Sequence, residues 1–82
     1  MDYAEIITGR IAALCQERKW SYTQLAKKSG LGQSTVDNIM RRVTKNPGIQ
    51  TLHRIANGLG MSLLEFLDIP ELNEYKFPSE PK

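Results

Sequence analysis

Cysteine and histidine are almost absent from this sequence, since its 82 residues include only one of each, Cys15 and His53. A lone cysteine cannot form an internal disulfide, and the pair does not supply the spaced ligands of a structural zinc site. We therefore expect no disulfide, no metal and no cofactor. The same scarcity argues against an enzyme, because no nucleophile, base and orienting group can be assembled and no glycine-rich phosphate cradle is present.

Long hydrophobic runs are also missing. No apolar stretch approaches the ~18 residues that a membrane span requires. The first ten residues, MDYAEIITGR, lack the basic-then-apolar order of a secretory signal. These two features predict a cytoplasmic protein without membrane association.

The charge is unevenly distributed along a chain that is long enough for one domain only. Residues 1–64 contain nine Lys and Arg against four Asp and Glu, whereas residues 65–82 contain two against five. The first part is therefore basic and can attract phosphate groups, while the end of the chain is acidic.

Hydrophobic spacing and cap signals predict an all-α fold of five short helices, at about 4–18, 22–29, 33–42, 49–58 and 63–68. Capping boxes mark two starts, Ser21 with Gln24 and Ser62 with Glu65. Gly30 and Gly60 suit the left-handed position that ends a helix. Pro70 is expected to end the fifth helix, and the residues after it to form a tail that is mobile when unpaired, although Leu72, Tyr75 and Phe77 could still contact something.

The predicted third helix has two different faces. On a wheel of 100° per residue, Val36, Ile39, Met40 and Val43 fall within one arc, which predicts a face turned to the core. The opposite arc collects hydrogen-bonding side chains: Gln33, Ser34, Asp37, Asn38 and Arg41. Such a face could be an ordinary solvated surface, but the preceding tight turn and the basic connector after it favour contact with a nucleic-acid groove.

Two segments together carry a recognisable pattern, WSYTQLAKKSGLGQSTVDNIMRR and KNPGIQTLHRIANGLGMSLLEFL. This pattern resembles the lambda-repressor-like (Cro/CI-type, XRE) helix-turn-helix family of bacterial and phage DNA-binding regulators, over roughly residues 7–67. The resemblance implies a compact five-helix DNA-binding domain at 1–69 with a short C-terminal tail at 70–82. It also implies a sequence-specific transcriptional regulator, most simply a repressor, since repression needs only occupancy of the site.

The resemblance places the third helix in the major groove of duplex DNA, with base contacts from Gln33, Ser34, Asp37, Asn38 and Arg41. Glutamine and asparagine can pair with adenine and arginine with guanine, while Arg41 also fits a phosphate. Phosphate contacts are expected from the start of the second helix and from the connector: Tyr22, Thr23, Arg42, Thr44, Lys45 and Asn46. Asp37 could accept from cytosine or repel non-cognate sites. Tyr22 departs from the glutamine that many family members have there.

Partners other than DNA follow from the fifth helix and the tail. Leu64 and Ile69 lie off the helix's inward face, which predicts a homodimer on a near-palindromic operator. The alternative is a DNA-binding antitoxin or another protein-interaction module, in which the tail from Pro70 onward binds a partner protein.

Overall fold

The computed structural model describes residues 2–78, and all regular structure within them is helical. Six helices follow in order: α1 Tyr3–Arg18, α2 Tyr22–Ser29, α3 Gln33–Met40, α4 Ile49–Gly58, α5 Leu63–Phe66 and α6 Pro70–Asn73. The predicted all-α fold is confirmed, with one helix more than expected. None of the helices in residues 2–78 is long and apolar enough to cross a membrane.

The starts of α1, α2 and α5 are fixed by reciprocal capping boxes. In the second of these, the Gln24 backbone N–H donates to Ser21 Oγ at 3.2 Å, and Gln24 Oε1 accepts from the Ser21 backbone N–H at 2.9 Å. The Ser62–Glu65 box has the same form, so both predicted boxes are confirmed. A third box, Asp2 with Glu5, caps α1 one residue earlier than the predicted start.

Four helix ends use a residue with left-handed backbone. Gly30 and Gly60 have φ of 68° and 78°, as their sequence context predicts. Lys19 and Arg42 adopt the same conformation, with φ of 58° and 61°. After each of these residues a backbone N–H returns to a carbonyl five residues earlier, as in the Schellman motif. The four bonds are Trp20 to Cys15, Leu31 to Ala26, Val43 to Asn38 and Met61 to Ala56.

One hydrophobic core collects side chains from α1 to α5. Leu25, Val36 and Leu52 are buried in it, as predicted, and Trp20 packs against it while half-buried. Phe66 is fully buried, so the short α5 is anchored by its last residue. Cys15 is 2% exposed and fills space in the core, as predicted.

The end of α3 differs from its prediction. The helix stops at Met40 rather than at Arg42, because Arg42 takes the left-handed conformation and the chain turns there. Val43, expected on the core face, is 65% exposed. The wheel extrapolated a helical period past the point at which the helix ends.

The region after α5 also differs from its prediction. Helix α5 ends at Phe66 rather than Asp68, and Pro70 begins α6 instead of closing a helix. Because α6 packs on α1, it carries Ile69 inward, and Ile69 is only 8% exposed. The expectation that Ile69 offers free surface to a second subunit is therefore wrong.

The first part of the predicted tail is ordered against α1. Tyr75 and Phe77 form an aromatic cluster with Tyr3, with ring centroids 5.2 Å and 5.5 Å from that of Tyr3. Leu72 packs against the core while half-buried. The predicted contacts of Leu72, Tyr75 and Phe77 are thus confirmed. The last part of the tail, residues 79–82, lies outside the described residues.

Candidate nucleic-acid interface

A tight turn joins α2 to α3. Gly30 supplies the left-handed conformation that ends α2, and Gly32 is the N-cap of α3 with extended backbone. Leu25 on α2 and Val36 on α3 are both fully buried, so the two helices share one piece of core across the turn. This packing fixes α3 and leaves its other side outside the core.

The two faces of α3 are separated as the wheel predicts over residues 33–40. Val36 and Ile39 are buried, and Met40 packs against the core while half-buried. The outer side carries Gln33 and Ser34, which are exposed, and Asp37 and Asn38, which are half-buried. The structure therefore brings four of the five predicted base-contacting residues to one face.

Two residues depart from this division of α3 into a buried and an outer face. Arg41 lies just beyond the last helical residue as its C-cap, and it is exposed. Thr35 is also exposed, although the wheel places it near the buried Ile39 and sequence reasoning omitted it. Exposure at the edge of a helix face depends on which neighbours cover that edge, and no sequence period shows this.

Asp37 has an immediate partner on the same face. Gln33 Nε2 donates to Asp37 Oδ1 at 3.1 Å, one helical turn apart. The bond orients the Gln33 amide and leaves its Oε1 as an acceptor at the start of the helix. Asp37 therefore also serves to hold a neighbouring polar side chain in place.

The connector from α3 to α4 is an exposed strip. Arg42, Thr44, Lys45 and Asn46 are all exposed. The backbone N–H groups of Val43 and Thr44 both donate to the Asn38 carbonyl, at 2.9 Å and 3.1 Å, which ties the strip to α3. Two cations, Arg42 and Lys45, thus lie immediately after the outer face of α3.

The other predicted phosphate site is the start of α2. Thr23 is exposed and Tyr22 is half-buried against the core. The first N–H groups of a helix have no carbonyl partner within it, and Ser21 satisfies that of Gln24. The N–H groups of Tyr22 and Thr23 therefore remain outside the helical hydrogen-bond pattern, as an anion contact requires.

Not all the basic residues are available to a ligand. Arg10 donates to the carbonyls of Phe66 and Glu65, at 3.1 Å and 2.9 Å. Arg18 donates to the carbonyls of Leu14 and Leu59. Both guanidinium groups thus satisfy carbonyls at helix ends and hold α1 against α4 and α5.

Among residues 2–78, no group of three or more His, Cys, Asp or Glu side chains could hold a metal ion. Burial raises the pKa of the Cys15 thiol, and the opposing charge of Arg18 is the smaller effect. A thiol with a raised pKa is a poor nucleophile at neutral pH.

Comparison with known proteins adds to this geometry. A helix-turn-helix family model matches residues 11–66, a span that contains α2, the turn and α3. The chain belongs to the helix-turn-helix family. No solved structure gives a significant match.

Curated relatives carry the same helix-turn-helix description in their names. The chain is 33% identical over 70 residues to the HTH-type transcriptional regulator SinR of Bacillus subtilis (strain 168), an alignment that covers 85% of this chain and 63% of SinR. It is 39% identical over 61 residues to SlrR of the same strain, covering 73% and 40%. It is 29% identical over 70 residues to SutR of Escherichia coli (strain K12), covering 85% and 39%. The chain thus spans less than two thirds of these relatives' lengths.

Beside the helix-turn-helix unit, the protein also exposes apolar side chains. Leu64 on α5 is 82% exposed and Ile49 at the start of α4 is 61% exposed. Ile49 and Leu67 line one cavity of about 170 Å³, and Leu67 lies one turn after Leu64. Leu64 and Ile49 are thus exposed apolar side chains on two helices that contact each other.

Proposed function

We propose that this chain is the sequence-specific, duplex-DNA-binding part of a transcriptional regulator, and that it acts as a repressor by occupying its operator. The observation that carries the proposal is the polar outer face of α3, which continues directly into an exposed strip with two cations. A helix of this size fits the major groove, which is about 12 Å wide. The names of the relatives, all HTH-type transcriptional regulators, support the same function.

Each predicted contact has a chemical role in this proposal. Gln33, Ser34, Asp37, Asn38 and Arg41 read base edges, and Asn38 and Arg41 offer the side chains suited to adenine and guanine. The backbone at Tyr22 and Thr23, with Arg42, Thr44, Lys45 and Asn46, holds phosphates on either side. The protein supplies position and hydrogen bonds rather than catalysis, and it works in the cytoplasm, where bacterial DNA is found.

The test begins with selection of the preferred sequence from a pool of random duplexes. Fluorescence-anisotropy titrations then compare that sequence with a scrambled duplex at several salt concentrations. An Asn38→Ala/Arg41→Ala variant should lose most of the preference, because each bidentate base contact contributes about 1–3 kcal/mol. That corresponds to roughly a fivefold to 150-fold loss in affinity per contact.

A matched control uses the same residue types on another helix. Arg54 and Asn57 are exposed on α4, a helix that carries none of the proposed DNA contacts. An Arg54→Ala/Asn57→Ala variant should bind the selected duplex like the wild type. Equal losses in both double variants, or no duplex selected above background, would reject α3 as the reading element.

We further propose that two copies bind together, because two half-sites about 34 Å apart require two recognition helices related by a twofold axis. Leu64, at 82% exposure, is the residue placed at the subunit contact. Ile69 is left out of this contact because it is buried. Ile49 is added because it is exposed and shares a cavity with Leu67, next to Leu64 on α5.

Sedimentation velocity tests the dimer. Leu64→Asp should shift the protein towards monomer, since a buried unpaired carboxylate is costly, while the helical circular-dichroism signal stays unchanged. Ala13→Asp is the control, because Ala13 is also an exposed apolar residue but lies on α1, which carries none of the proposed subunit or DNA contacts. A wild-type chain that stays monomeric on its selected duplex, or a Leu64→Asp chain that still dimerises, would reject this contact.

A further inference from the structure

The N-terminus of α1 lies beside the exit of α3. Arg42 Nη1 is 3.4 Å from Glu5 Oε2, an ion pair that joins residues 37 positions apart in the sequence. A cavity nearby supports the same placement, because Tyr3 of α1 and Asn46 of the connector both line it. A carboxylate of α1 therefore faces a cation that the proposed function places on the DNA backbone.

The two partners are held very differently. Glu5 is fixed by its capping box, because Oε1 accepts from the Asp2 backbone N–H at 2.7 Å and the Glu5 N–H donates to Asp2 at 2.8 Å. Arg42 has a long side chain, 47% exposed, on the surface. Its contact with Glu5 is longer than the 2.7–2.9 Å of a charge-assisted hydrogen bond. Arg42 can therefore leave the pair, whereas Glu5 cannot follow it.

The backbone at Arg42 indicates that the side chain matters here. Arg42 occupies the left-handed position of a Schellman motif, which Gly30 and Gly60 occupy at two other helix ends. Glycine takes this conformation without steric cost, and arginine does not. The backbone at position 42 favours glycine, yet the residue there is an arginine, and it pairs with an acidic residue from another helix.

We propose that Glu5 is an internal counter-charge for Arg42 that competes with DNA phosphate. In the free protein Arg42 is paired with Glu5; on DNA, Glu5 and a phosphate compete for Arg42, and the Glu5 pair keeps Arg42 from fully neutralising that phosphate, although the two phosphate oxygens suit its planar group. Glu5 thereby lowers the affinity for DNA of any sequence and reduces its salt dependence. The inference rests on the proposed function, since it requires Arg42 to lie against the DNA backbone.

The Glu5→Gln substitution tests the role of the Glu5 charge alone. Glutamine at this position of a capping box still accepts from the N-cap N–H, so α1 keeps its start while the negative charge is removed. An Arg42 released from Glu5 neutralises its phosphate fully, which should steepen the slope of log K against log salt by up to about 0.9. At about 0.1 M salt the upper value corresponds to roughly eightfold tighter binding of a scrambled duplex.

Two further variants separate competition for Arg42 from the general effect of removing one negative charge from the protein. Glu17→Gln removes the same charge from α1 about 18 Å further along the helix, beyond the screening length of physiological salt. It should leave the slope unchanged. Arg42→Gly removes the competing cation, and in its background Glu5→Gln should no longer steepen the slope or tighten binding.

The experiment is a set of anisotropy titrations of scrambled duplex over a salt series, using the full chain with these substitutions singly and as the Glu5→Gln/Arg42→Gly pair. An unchanged slope in Glu5→Gln would overturn the inference, as would a gain that persists without Arg42. Weaker binding by Glu5→Gln would also overturn it, because Glu5 would then help Arg42 to reach DNA. If the wild type binds no duplex even at low salt, the proposed function fails as well; if it binds and Glu5→Gln matches it, only this inference fails.

Discussion

Substitution of Gly58 by alanine tests the packing that holds the α2–α3 unit on α4. A Cβ at position 58 would lie 2.5 Å from Ser29 Oγ, 2.9 Å from the Ser29 backbone nitrogen and 3.0 Å from the Lys28 carbonyl carbon. Favourable contacts between non-bonded carbon atoms are near 3.5–4.0 Å. The Ser29 hydroxyl can rotate, but the two backbone atoms can move only if α2 moves away from α4.

The expected cost follows from two opposing effects. Overpacking a tight contact costs about 1–3 kcal/mol. Replacing a helical glycine by alanine returns about 0.5–1 kcal/mol. Gly58→Ala should therefore lower the free energy of unfolding by up to about 2.5 kcal/mol, or the Tm by up to roughly 20 °C for a domain of this size.

The chain offers a matched control at Gly9. This glycine lies inside α1, and a Cβ there would meet no atom within 4 Å. Gly9→Ala should therefore stabilise the fold by about 0.5–1 kcal/mol, the opposite sign for the same chemical change. Urea unfolding followed by circular dichroism measures both variants.

A second variant identifies the atoms responsible for the cost at Gly58. Ser29 Oγ is buried without a hydrogen-bond partner, so Ser29→Ala loses no bond and relieves the shortest of the three contacts. In Ser29→Ala/Gly58→Ala the penalty should shrink but persist, because the backbone contacts remain. A Gly58→Ala protein as stable as Gly9→Ala would refute this account of the α2–α4 contact.

Two further predictions concern ionisable groups. Cys15 is buried and its pKa is raised, so iodoacetamide should label it slowly in the folded protein and rapidly in urea; rapid labelling of the native protein would contradict its burial. The Ser62 backbone N–H and then its hydroxyl lower the pKa of Glu65 below its unfolded value, so this stabilisation is present above the unfolded pKa and is lost as pH falls through the folded pKa. Glu65→Gln, which keeps the capping box, should therefore lose less stability than the wild type between about pH 6 and pH 3; identical losses in the two proteins would refute the linkage.

Local patterns predicted the parts of the fold that local chemistry determines. Both capping boxes and both glycine helix ends follow from a few neighbouring residues, and the structure contains them. The buried side of α3 follows from the helical period up to Met40. These features need no knowledge of distant segments, and this is why the sequence was sufficient.

The errors arise where a residue type has two structural uses. The position of Pro70 after a helical pattern predicts a helix end, but proline is equally suited to the first helical position, and here it begins α6. Arg42 is an ordinary helix former, so nothing local indicates that α3 ends before it. Its left-handed backbone accompanies a contact with Glu5, which is distant in the sequence.

The contact partner of the tail's aromatic residues was not predictable for a similar reason. Tyr75 and Phe77 lie in a segment without a hydrophobic period, and their partner Tyr3 is at the other end of the chain.

The predicted base and phosphate contacts differ from these features, because they involve DNA and not another part of the chain. The structure gives their exposure and their common face, while contact with DNA stays a prediction until the titrations are made.

The net charge counted from the sequence is larger than the positive charge that is available to DNA. The difference comes from particular residues that already have partners within the protein. Residues 1–64 carry an excess of positive charge, yet Arg10 and Arg18 donate to carbonyls at helix ends. Arg42 is paired with Glu5, so within the connector Lys45 and the neighbouring Arg41 are the cations without an ion-pair partner among the described residues. Because the salt dependence of binding counts the phosphates that are neutralised, it should follow this smaller set of cations and not the sequence total. Removing Glu5 and removing Lys45 should then change the salt slope by similar amounts in opposite directions.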